Sequence, residues 1–204
     1  MSRPTHIPND RFLIIIGAMK SGTTSLFDYL AQHDAICPSA IKEPEYFSVH
    51  QDHKAVLACY ENLWDFDPQR HRYVLEASTG YTRPNEVGAA HAIRDYGLSP
   101  KFIYIVRDPL RRIESHYNYM KKMNKGGWHY AIDHEHLIET SNYYRQAEKF
   151  AKQFGRDKIF VVKFEDWVSG DERCLADLWN FLELEAEAAV GLPEKNVTAT
   201  IPSR

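Results

Sequence analysis

The sequence has few cysteines and no long apolar segment. Its longest strongly apolar run, Phe12–Ile16, is far too short for a transmembrane helix, and the N-terminus lacks the apolar core of a signal peptide. The three cysteines, Cys37, Cys59 and Cys174, are an odd number at wide spacing, which indicates neither a disulfide framework nor a zinc cluster. These absences predict a cytoplasmic protein without a membrane span.

The sequence also lacks a large excess of charge of one sign. Its 25 Lys and Arg residues face 28 Asp and Glu residues, so we expect no extended basic surface for nucleic acid or anionic membrane. One candidate basic patch exists, with a solvated helix surface as its alternative interpretation. It comprises Arg111, Arg112, Lys121, Lys122 and Lys125.

Apolar runs alternate with helical patterns along the 204 residues, without a repeat or a linker. This alternation predicts a single α/β domain over residues 1–204, with a central parallel sheet between two layers of helices. Strands are predicted at Phe12–Ile16, Tyr73–Glu76, Lys101–Val106 and Ile159–Val162. Helices are predicted at Thr23–Gln32, Lys54–Trp64, Val87–Tyr96, from Pro109 onward with Asp108 as N-cap, at Tyr143–Phe154 and around Leu175–Leu182.

The segment after the first strand combines glycines, one lysine and several hydroxyl groups. Gly17 and Gly22 permit sharp backbone turns that expose N–H groups. Thr23, Thr24 and Ser25 add hydroxyl donors at a helix N-terminus, where the helix dipole already favours negative charge. We therefore expect this loop to bind a phosphate or a sulfate.

The position of the lysine distinguishes this loop from a nucleoside-triphosphate P-loop. That motif reads G-x-x-x-x-G-K-[ST], but here Thr23 follows the second glycine and the lysine is Lys20. The loop is P-loop-like without being a Walker A motif. Residues Lys20, Ser21, Gly22, Thr23 and Thr24 resemble the K-[ST]-G-T-[TS] loop of sulfotransferases that use 3′-phosphoadenosine 5′-phosphosulfate (PAPS). The alternative is a plain strand-to-helix turn with a solvated lysine.

A second motif begins at Arg107, directly after the predicted strand Lys101–Val106. Ligands of open α/β sheets bind beyond the carboxyl ends of the strands. A guanidinium group at such an end can hold a phosphate with two hydrogen bonds. The alternative is an ion pair between Arg107 and Asp108 or another surface carboxylate.

The helix that follows is predicted to bury Leu110, Ile113 and Tyr117, which leaves Ser115 free to contact a ligand. The segment from Arg107 to Ser115 resembles the sulfotransferase pattern R-D-P-x-x-R-x-x-S. In that family the first arginine and the later serine hold the 3′-phosphate of PAPS. The resemblance implies these roles for Arg107 and Ser115.

A third segment, Lys42–Phe47, resembles the K-E-P-x-[YF]-F sequence of carbohydrate sulfotransferases, including those that act on heparan sulfate. The resemblance implies that Glu43 is the general base that takes the proton from the acceptor hydroxyl. An alcohol needs such a group because it is a poor nucleophile. Pro44 disfavours a helical conformation at Glu43, which we therefore expect to be extended.

Alternatives to this assignment remain open at the level of sequence. The segment could be a surface turn in which Lys42 and Glu43 form a charge pair. Other candidates for the base are Glu45, Asp28, Glu76 and His33. The segment Glu76–Tyr81 resembles the family's cleft-lining E-x-[ST]-x-x-Y sequence, and Val162–Trp167 resembles a segment with a structural role. His129, His134 and His136 match no zinc pattern, so no metal is expected.

The resemblance implies transfer of a sulfuryl group from PAPS to a hydroxyl, or less readily an amine, of a glycan or small molecule, with adenosine 3′,5′-bisphosphate (PAP) as product. Lys20 and the loop would stabilise charge on the leaving group. The alternatives are a nucleotide-dependent phosphotransferase and a noncatalytic nucleotide-binding module. Family members continue beyond a segment like Lys195–Arg204, so this sequence is either a short member or lacks a C-terminal segment.

Overall fold

The computed structural model describes residues 7–49, 60–84, 88–122 and 135–186. Within these ranges five strands form one sheet in the order β2-β3-β1-β4-β5, and each neighbouring pair is parallel. The strands are β1 (Phe12–Gly17), β2 (Ile36–Pro38), β3 (Tyr73–Ala77), β4 (Lys101–Val106) and β5 (Ile159–Lys163). The predicted parallel α/β fold is therefore confirmed.

The helices that the structure describes lie between and after these strands. They are α1 (Thr23–Leu30), α2 (Tyr46–Val49), α3 (Ala89–Asp95), α4 (Pro109–Lys122), α5 (Glu135–Glu139), α6 (Tyr143–Phe154), α7 (Phe164–Ser169) and α8 (Glu172–Leu182). Short 3₁₀ segments cover Thr79–Thr82 and Arg156–Lys158. Most of the helix predicted at Lys54–Trp64 falls outside the described residues.

Helices cover both faces of the sheet. Along β1, Phe12, Ile14 and Ile16 belong to the core on one face, together with residues of α3 and α6. Leu13 and Ile15 belong to the core on the opposite face, together with residues of α1, α7 and α8. Because successive side chains of a strand point to opposite faces, a strand buried on both sides must be apolar throughout. The predicted three-layer arrangement is confirmed.

The short edge strand β2 was not predicted from the sequence. It contains three residues, Ile36, Cys37 and Pro38, which pair with Tyr73–Leu75 of β3. Three residues are too few to establish a periodicity, and proline usually argues against a strand. An edge position tolerates proline because one side of the strand has no partner that needs its N–H group.

The predicted buried face of α4 is wrong. Leu110 is 76% exposed, and Ile113 and Tyr117 are only half-buried. The fully buried side chain is Arg112, which donates hydrogen bonds to the Ser141 hydroxyl at 2.6 Å and to the backbone carbonyl of Leu137.

Helix α4 therefore contacts the segment around α5 through a polar side chain, which an apolar periodicity cannot reveal. Because Arg112 is buried, it does not belong to a solvated basic patch, and Lys125 lies outside the described residues.

The predicted start of α4 is confirmed, since Asp108 Oδ1 accepts a hydrogen bond from the Arg111 N–H at 2.9 Å.

The described helices and cysteines agree with the sequence on two points. Among the helices that the structure describes, none combines the length and apolar character needed to cross a membrane. Cys37 is buried and Cys174 is half-buried, and both are free thiols. Cys59 lies outside the described residues.

We predict that Asp171→Ala lowers the free energy of unfolding by about 1 kcal/mol, the usual effect of losing an N-cap. Asp171 caps α8, because its Oδ1 accepts a hydrogen bond from the Cys174 N–H at 2.7 Å. Asp171→Asn should retain most of the stability, since its side-chain oxygen can still accept. Urea denaturation measures both values. The matched control is Asp177→Ala on the exposed surface of α8, and an equal loss there would contradict the capping role.

Candidate active site

The candidate site lies where the order of strands reverses. From β1 the chain moves to β2 and β3 on one side of the sheet and only later to β4 on the other side. Crevices at such switch points are the usual ligand sites of open α/β sheets. The Ala18 N–H donates to the Ile105 carbonyl at 2.7 Å, and Arg107 Nη1 donates to the Lys20 carbonyl at 3.4 Å. These contacts join the loop after β1 to the residue that follows β4.

The loop after β1 presents hydrogen-bond donors at the start of α1. Gly22 is the N-cap residue with a φ of 92°, and no side chain among the described residues caps the helix. Ser21 is fully buried, and its hydroxyl has no hydrogen-bond partner within the described part of the chain. Thr23 is buried, Ser25 is half-buried and Thr24 is exposed. Uncapped N–H groups and an unpartnered hydroxyl suit an anionic ligand.

Two cations meet at this loop. Lys20 is half-buried, and its pKa is lowered first by burial and then by the positive charge of Arg107, while the charge of Glu43 acts in the opposite direction. The Lys20 ammonium lies 4.4 Å from the centre of the Tyr119 ring. Since two neighbouring cations disfavour each other's charge, an anion between them would be stabilising.

Arg107 has an N–H group that is available to bind a ligand. Its Nε is buried without a hydrogen-bond partner in the ranges that the structure describes, and within those ranges it forms no ion pair with a carboxylate. The alternative pairing of Arg107 with Asp108 is therefore wrong, because the Asp108 carboxylate caps α4 instead. Ser115 lies about two turns along α4 and is half-buried, so its contact with a 3′-phosphate stays a prediction.

Phe164, directly after β5, supports both the loop and the arginine, a contact that the sequence does not reveal. The Arg107 guanidinium lies 4.6 Å from the centre of the Phe164 ring, within the range of a cation–π interaction. A Cβ atom at Gly22 would lie 2.7 Å from the same ring, so a larger residue there would require movement. Glu165 next to it accepts a hydrogen bond from the Asp108 N–H at 3.0 Å. Phe164 lies in the segment Val162–Trp167, for which the family resemblance implied a structural role, but its contact with Arg107 depends on the fold.

Glu43 lies beside the lysine loop, at the end of β3. Its N–H donates to the Ala77 carbonyl at 2.8 Å, and its carboxylate accepts from Lys42 Nζ at 2.7 Å and from the Thr79 hydroxyl at 3.3 Å. The side chain is 38% exposed, so an acceptor can reach it. The charge pair of Lys42 and Glu43, which the alternative interpretation as a surface turn proposed, is therefore present.

The predicted extended conformation of Glu43 is wrong. Its φ is +59°, in the left-handed region that residues other than glycine seldom adopt. Pro44 excludes the right-handed helical conformation, but it does not decide between the remaining ones. The hydrogen bond that the Glu43 N–H donates to the end of β3 and the one that its carboxylate accepts from Thr79 stabilise the left-handed conformation, as is common at functional sites.

The other candidates for the base are less suitable. Glu76 is completely buried, with its Oε2 accepting from the Tyr60 hydroxyl at 2.8 Å. Glu45 is less exposed than Glu43, and its carboxylate fills the space beside Gly80, where it accepts hydrogen bonds from Gly80 and Ser48. Asp28 is exposed on α1. His33 accepts the Ala35 N–H at 3.0 Å through Nδ1, and its Nε2 lies 3.1 Å from the Glu185 carbonyl.

No group of three or more His, Cys, Asp or Glu side chains that could hold a metal ion occurs among the described residues. Two of the three histidines considered from the sequence, His129 and His134, lie outside those residues.

The family model described as "Sulfotransferase domain" matches residues 10–201 of this chain. The match covers the sheet, the loop at Lys20, the Glu43 segment and Arg107. The chain therefore belongs to the sulfotransferase domain family, and the family predicted from the sequence is confirmed.

Individual relatives agree with this family. The chain is 27% identical over 194 residues to the membrane-associated sulfotransferase kil1 of Dictyostelium discoideum, covering 88% of this chain and 40% of that protein. A sulfotransferase structure from Alicyclobacillus acidocaldarius has a TM-score of 0.74 at 22% identity, covering 93% of this chain and 87% of that one. Mouse sulfotransferase SULT7A1, in complex with PAP, has a TM-score of 0.58 at 15% identity, with coverage of 89% and 60%.

The buried Glu76 predicts a dependence of stability on pH. Burial raises its pKa from 4.5 to about 7, and the nearby Tyr81, Tyr60 and Ser78 hydroxyls only partly oppose that shift. The folded protein therefore keeps this proton over a pH range in which the unfolded chain releases it. Below pH 4.5 the carboxyl group is mostly neutral in both the folded and the unfolded state, so its ionisation has little effect on stability. The free energy of unfolding falls as the pH rises from 4.5 to about 7.

Glu76→Gln cannot ionise. We predict that its free energy of unfolding, relative to that of the wild type, increases by about 2 kcal/mol between pH 5 and pH 8. Urea unfolding at both pH values measures this difference. Glu148→Gln, which makes the same replacement at the salt-bridged surface position on α6, is the matched control. A constant difference between Glu76→Gln and the wild type would show that Glu76 does not titrate in this range.

Proposed function

We propose that this protein transfers a sulfuryl group from PAPS to an acceptor hydroxyl. The observation that carries the proposal is the meeting of Lys20, Arg107 and the buried, unpartnered Ser21 hydroxyl at the N-terminus of α1. This arrangement suits a nucleotide with two separate anionic groups, because each group can bind a cation or a free backbone N–H group.

The proposed donor site divides between two strand ends. After β1, Lys20 and residues 21–25 hold the phosphosulfate end. After β4, Arg107 and Ser115 hold the 3′-phosphate, and the unpartnered Arg107 Nε supports this assignment. The complex of mouse SULT7A1 with PAP supports the choice of nucleotide.

Glu43 is the proposed general base. The acceptor oxygen forms its bond to sulfur while the bond from sulfur to the bridging oxygen of the donor breaks, and Glu43 takes the acceptor proton. Its partial exposure and its electrostatic contact with Lys20 support this role. The sulfuryl group of PAPS is already activated, so the protein need not activate it further.

Lys20 is the proposed electrostatic catalyst. Negative charge grows on the bridging oxygen as PAP leaves, and a positioned ammonium group stabilises that charge more than it stabilises the ground state. Burial and Arg107 lower the pKa of Lys20 in the ligand-free protein, and an anion beside it acts in the opposite direction. The Tyr119 ring supports the ammonium until the donor binds.

The alternative function is phosphoryl transfer from a nucleoside triphosphate. That chemistry relies on a lysine after the second glycine and on a carboxylate that binds Mg²⁺. Thr23 and Arg107 occupy the corresponding positions, and the Asp108 carboxylate is engaged in capping α4. These substitutions favour sulfuryl transfer.

The acceptor is proposed to be a glycan or a small molecule with a free hydroxyl. A screen of both classes with ³⁵S-labelled PAPS, scored for transferred label, identifies which class is used. The chain spans about 40% of the length of the Dictyostelium relative, and its action as a single domain remains a proposal. The predicted cytoplasmic location stays a prediction.

PAP should stabilise the protein without added metal. At about 100 times its dissociation constant, the expected stabilisation is ~2.7 kcal/mol, visible as a raised melting temperature. Adenosine 5′-phosphate should be much weaker, because it lacks the 3′-phosphate. Arg107→Ala should remove most of the difference between the two nucleotides, whereas Arg111→Ala, on the exposed side of α4, should preserve it. Stabilisation by ATP with Mg²⁺ and none by PAP would exclude the proposed donor.

Removal of the base or of the lysine should affect turnover more than donor binding. Glu43→Gln should lower kcat by roughly 10²- to 10⁴-fold and leave the affinity for PAP nearly unchanged. Lys20→Ala should lower kcat by about 10²-fold or more. Glu148→Gln and Lys152→Ala, which alter an exposed pair on α6, are the controls. If Glu43→Gln lost PAP affinity in proportion to kcat, Glu43 would be a binding residue instead.

A further inference from the structure

Glu45 connects the proposed catalytic loop to the turn that follows β3. Its Oε1 accepts the Gly80 N–H at 2.8 Å, and its Oε2 accepts the Ser48 hydroxyl at 2.8 Å. The Glu45 N–H in turn donates to the Ser78 hydroxyl at 3.0 Å. The two oxygens of the Glu45 carboxylate thus bind one group on the turn, at Gly80, and one in the following helix α2, at Ser48.

The same turn contacts Glu43 from the other side. Thr79, which begins the 3₁₀ segment, donates its hydroxyl to Glu43 Oε2 at 3.3 Å, and the Glu43 N–H donates to the Ala77 carbonyl at 2.8 Å. Glu43 and Glu45 therefore hold successive parts of one turn, Ala77 to Gly80. Movement of this turn relative to the loop would shift the Glu43 carboxylate.

Because Gly80 has no side chain, the Glu45 carboxylate can occupy the space beside it. A Cβ atom on Gly80 would lie 1.8 Å from Glu45 Oε2, so the Glu45 carboxylate would have to move away. Glu43 and Glu45 both have positive φ angles, 59° and 50° respectively. Such conformations persist only where surrounding contacts over-determine them, and the Glu45 carboxylate supplies two of those contacts.

We propose that Glu45 is a positioning residue that holds the Glu43 carboxylate in its catalytic place through the turn Ala77 to Gly80. This inference rests on the proposed function, in which Glu43 is the base. In this proposal the effect of Glu45 on the reaction passes through Glu43.

The test is a double-mutant cycle on sulfate transfer from labelled PAPS. Glu45→Ala should lower kcat by about 10- to 100-fold, as small displacements of catalytic groups do, with PAP affinity unchanged. Glu45→Gln should recover most of the activity, since its side-chain oxygen can still accept the Gly80 N–H. In a Glu43→Gln background, Glu45→Ala should cost almost nothing further, because the group that it positions is already disabled. Glu148→Ala on α6 is the control.

Gly80→Ala provides an independent steric route to the same displacement. Alone it should lower kcat about as much as Glu45→Ala does. In the Glu45→Ala background it should be nearly neutral, because the carboxylate that it strikes is gone. Hydrogen exchange of the Glu43 amide should accelerate in both single variants, a readout that does not depend on activity.

The outcomes separate the two proposals. A wild-type protein that neither binds PAP nor transfers sulfate overturns the proposed function. An active wild type in which Glu45→Ala retains full kcat, or in which the losses from Glu45→Ala and Glu43→Gln multiply, overturns the positioning role alone. If Glu45→Ala does not fold, Gly80→Ala and Glu45→Gln still decide, since an active Gly80→Ala variant with unchanged exchange contradicts the inference.

Discussion

The parallel pairing of β1 with β4 is the contact on which the candidate site depends. It aligns two carboxyl ends that are far apart in the chain, and the hydrogen bond from the Ala18 N–H to the Ile105 carbonyl extends it into the loop. Lys20 and Arg107 are consequently held together even though their charges repel. The apolar cores on both faces of β1 supply the rigidity for this arrangement. A site with unpartnered donors persists only where such packing supports it.

The site combines features that cost stability with features that restore it. Two cations share a partly buried space, and the loop residues Lys20, Glu43 and Glu45 adopt positive φ angles. Local contacts offset these costs. They include the contact of the Phe164 ring with Arg107 and the hydrogen bonds of the Glu45 carboxylate. An anionic ligand would relieve the charge repulsion, so binding and preorganisation depend on the same residues.

The sequence predicted most of the fold because the relevant signals are local. The apolar runs at β1 and β4 and the Asp-Pro start of α4 each carry a mechanism within a few residues, and the structure contains all of them. The errors occurred where a distant contact overrides local preference. Arg112, rather than the apolar Leu110, is buried, because Ser141 and Leu137 offer it hydrogen-bond partners that no periodicity reveals.

For the site itself, the sequence determined the chemical inventory: a glycine-bounded loop with Lys20, an arginine at a strand end and a glutamate before a proline. The local spacing of the loop and the arginine indicates anion binding, whereas the role of Glu43 in proton transfer is implied only by the resemblance to sulfotransferases. Only the tertiary structure decided which groups meet. The spatial order of the strands brings Arg107 to Lys20, β3 buries Glu76, and Glu43 stays exposed beside the turn after β3. Contacts between residues dozens of positions apart arise from packing of the whole sheet, and they have no signature in any local stretch of sequence.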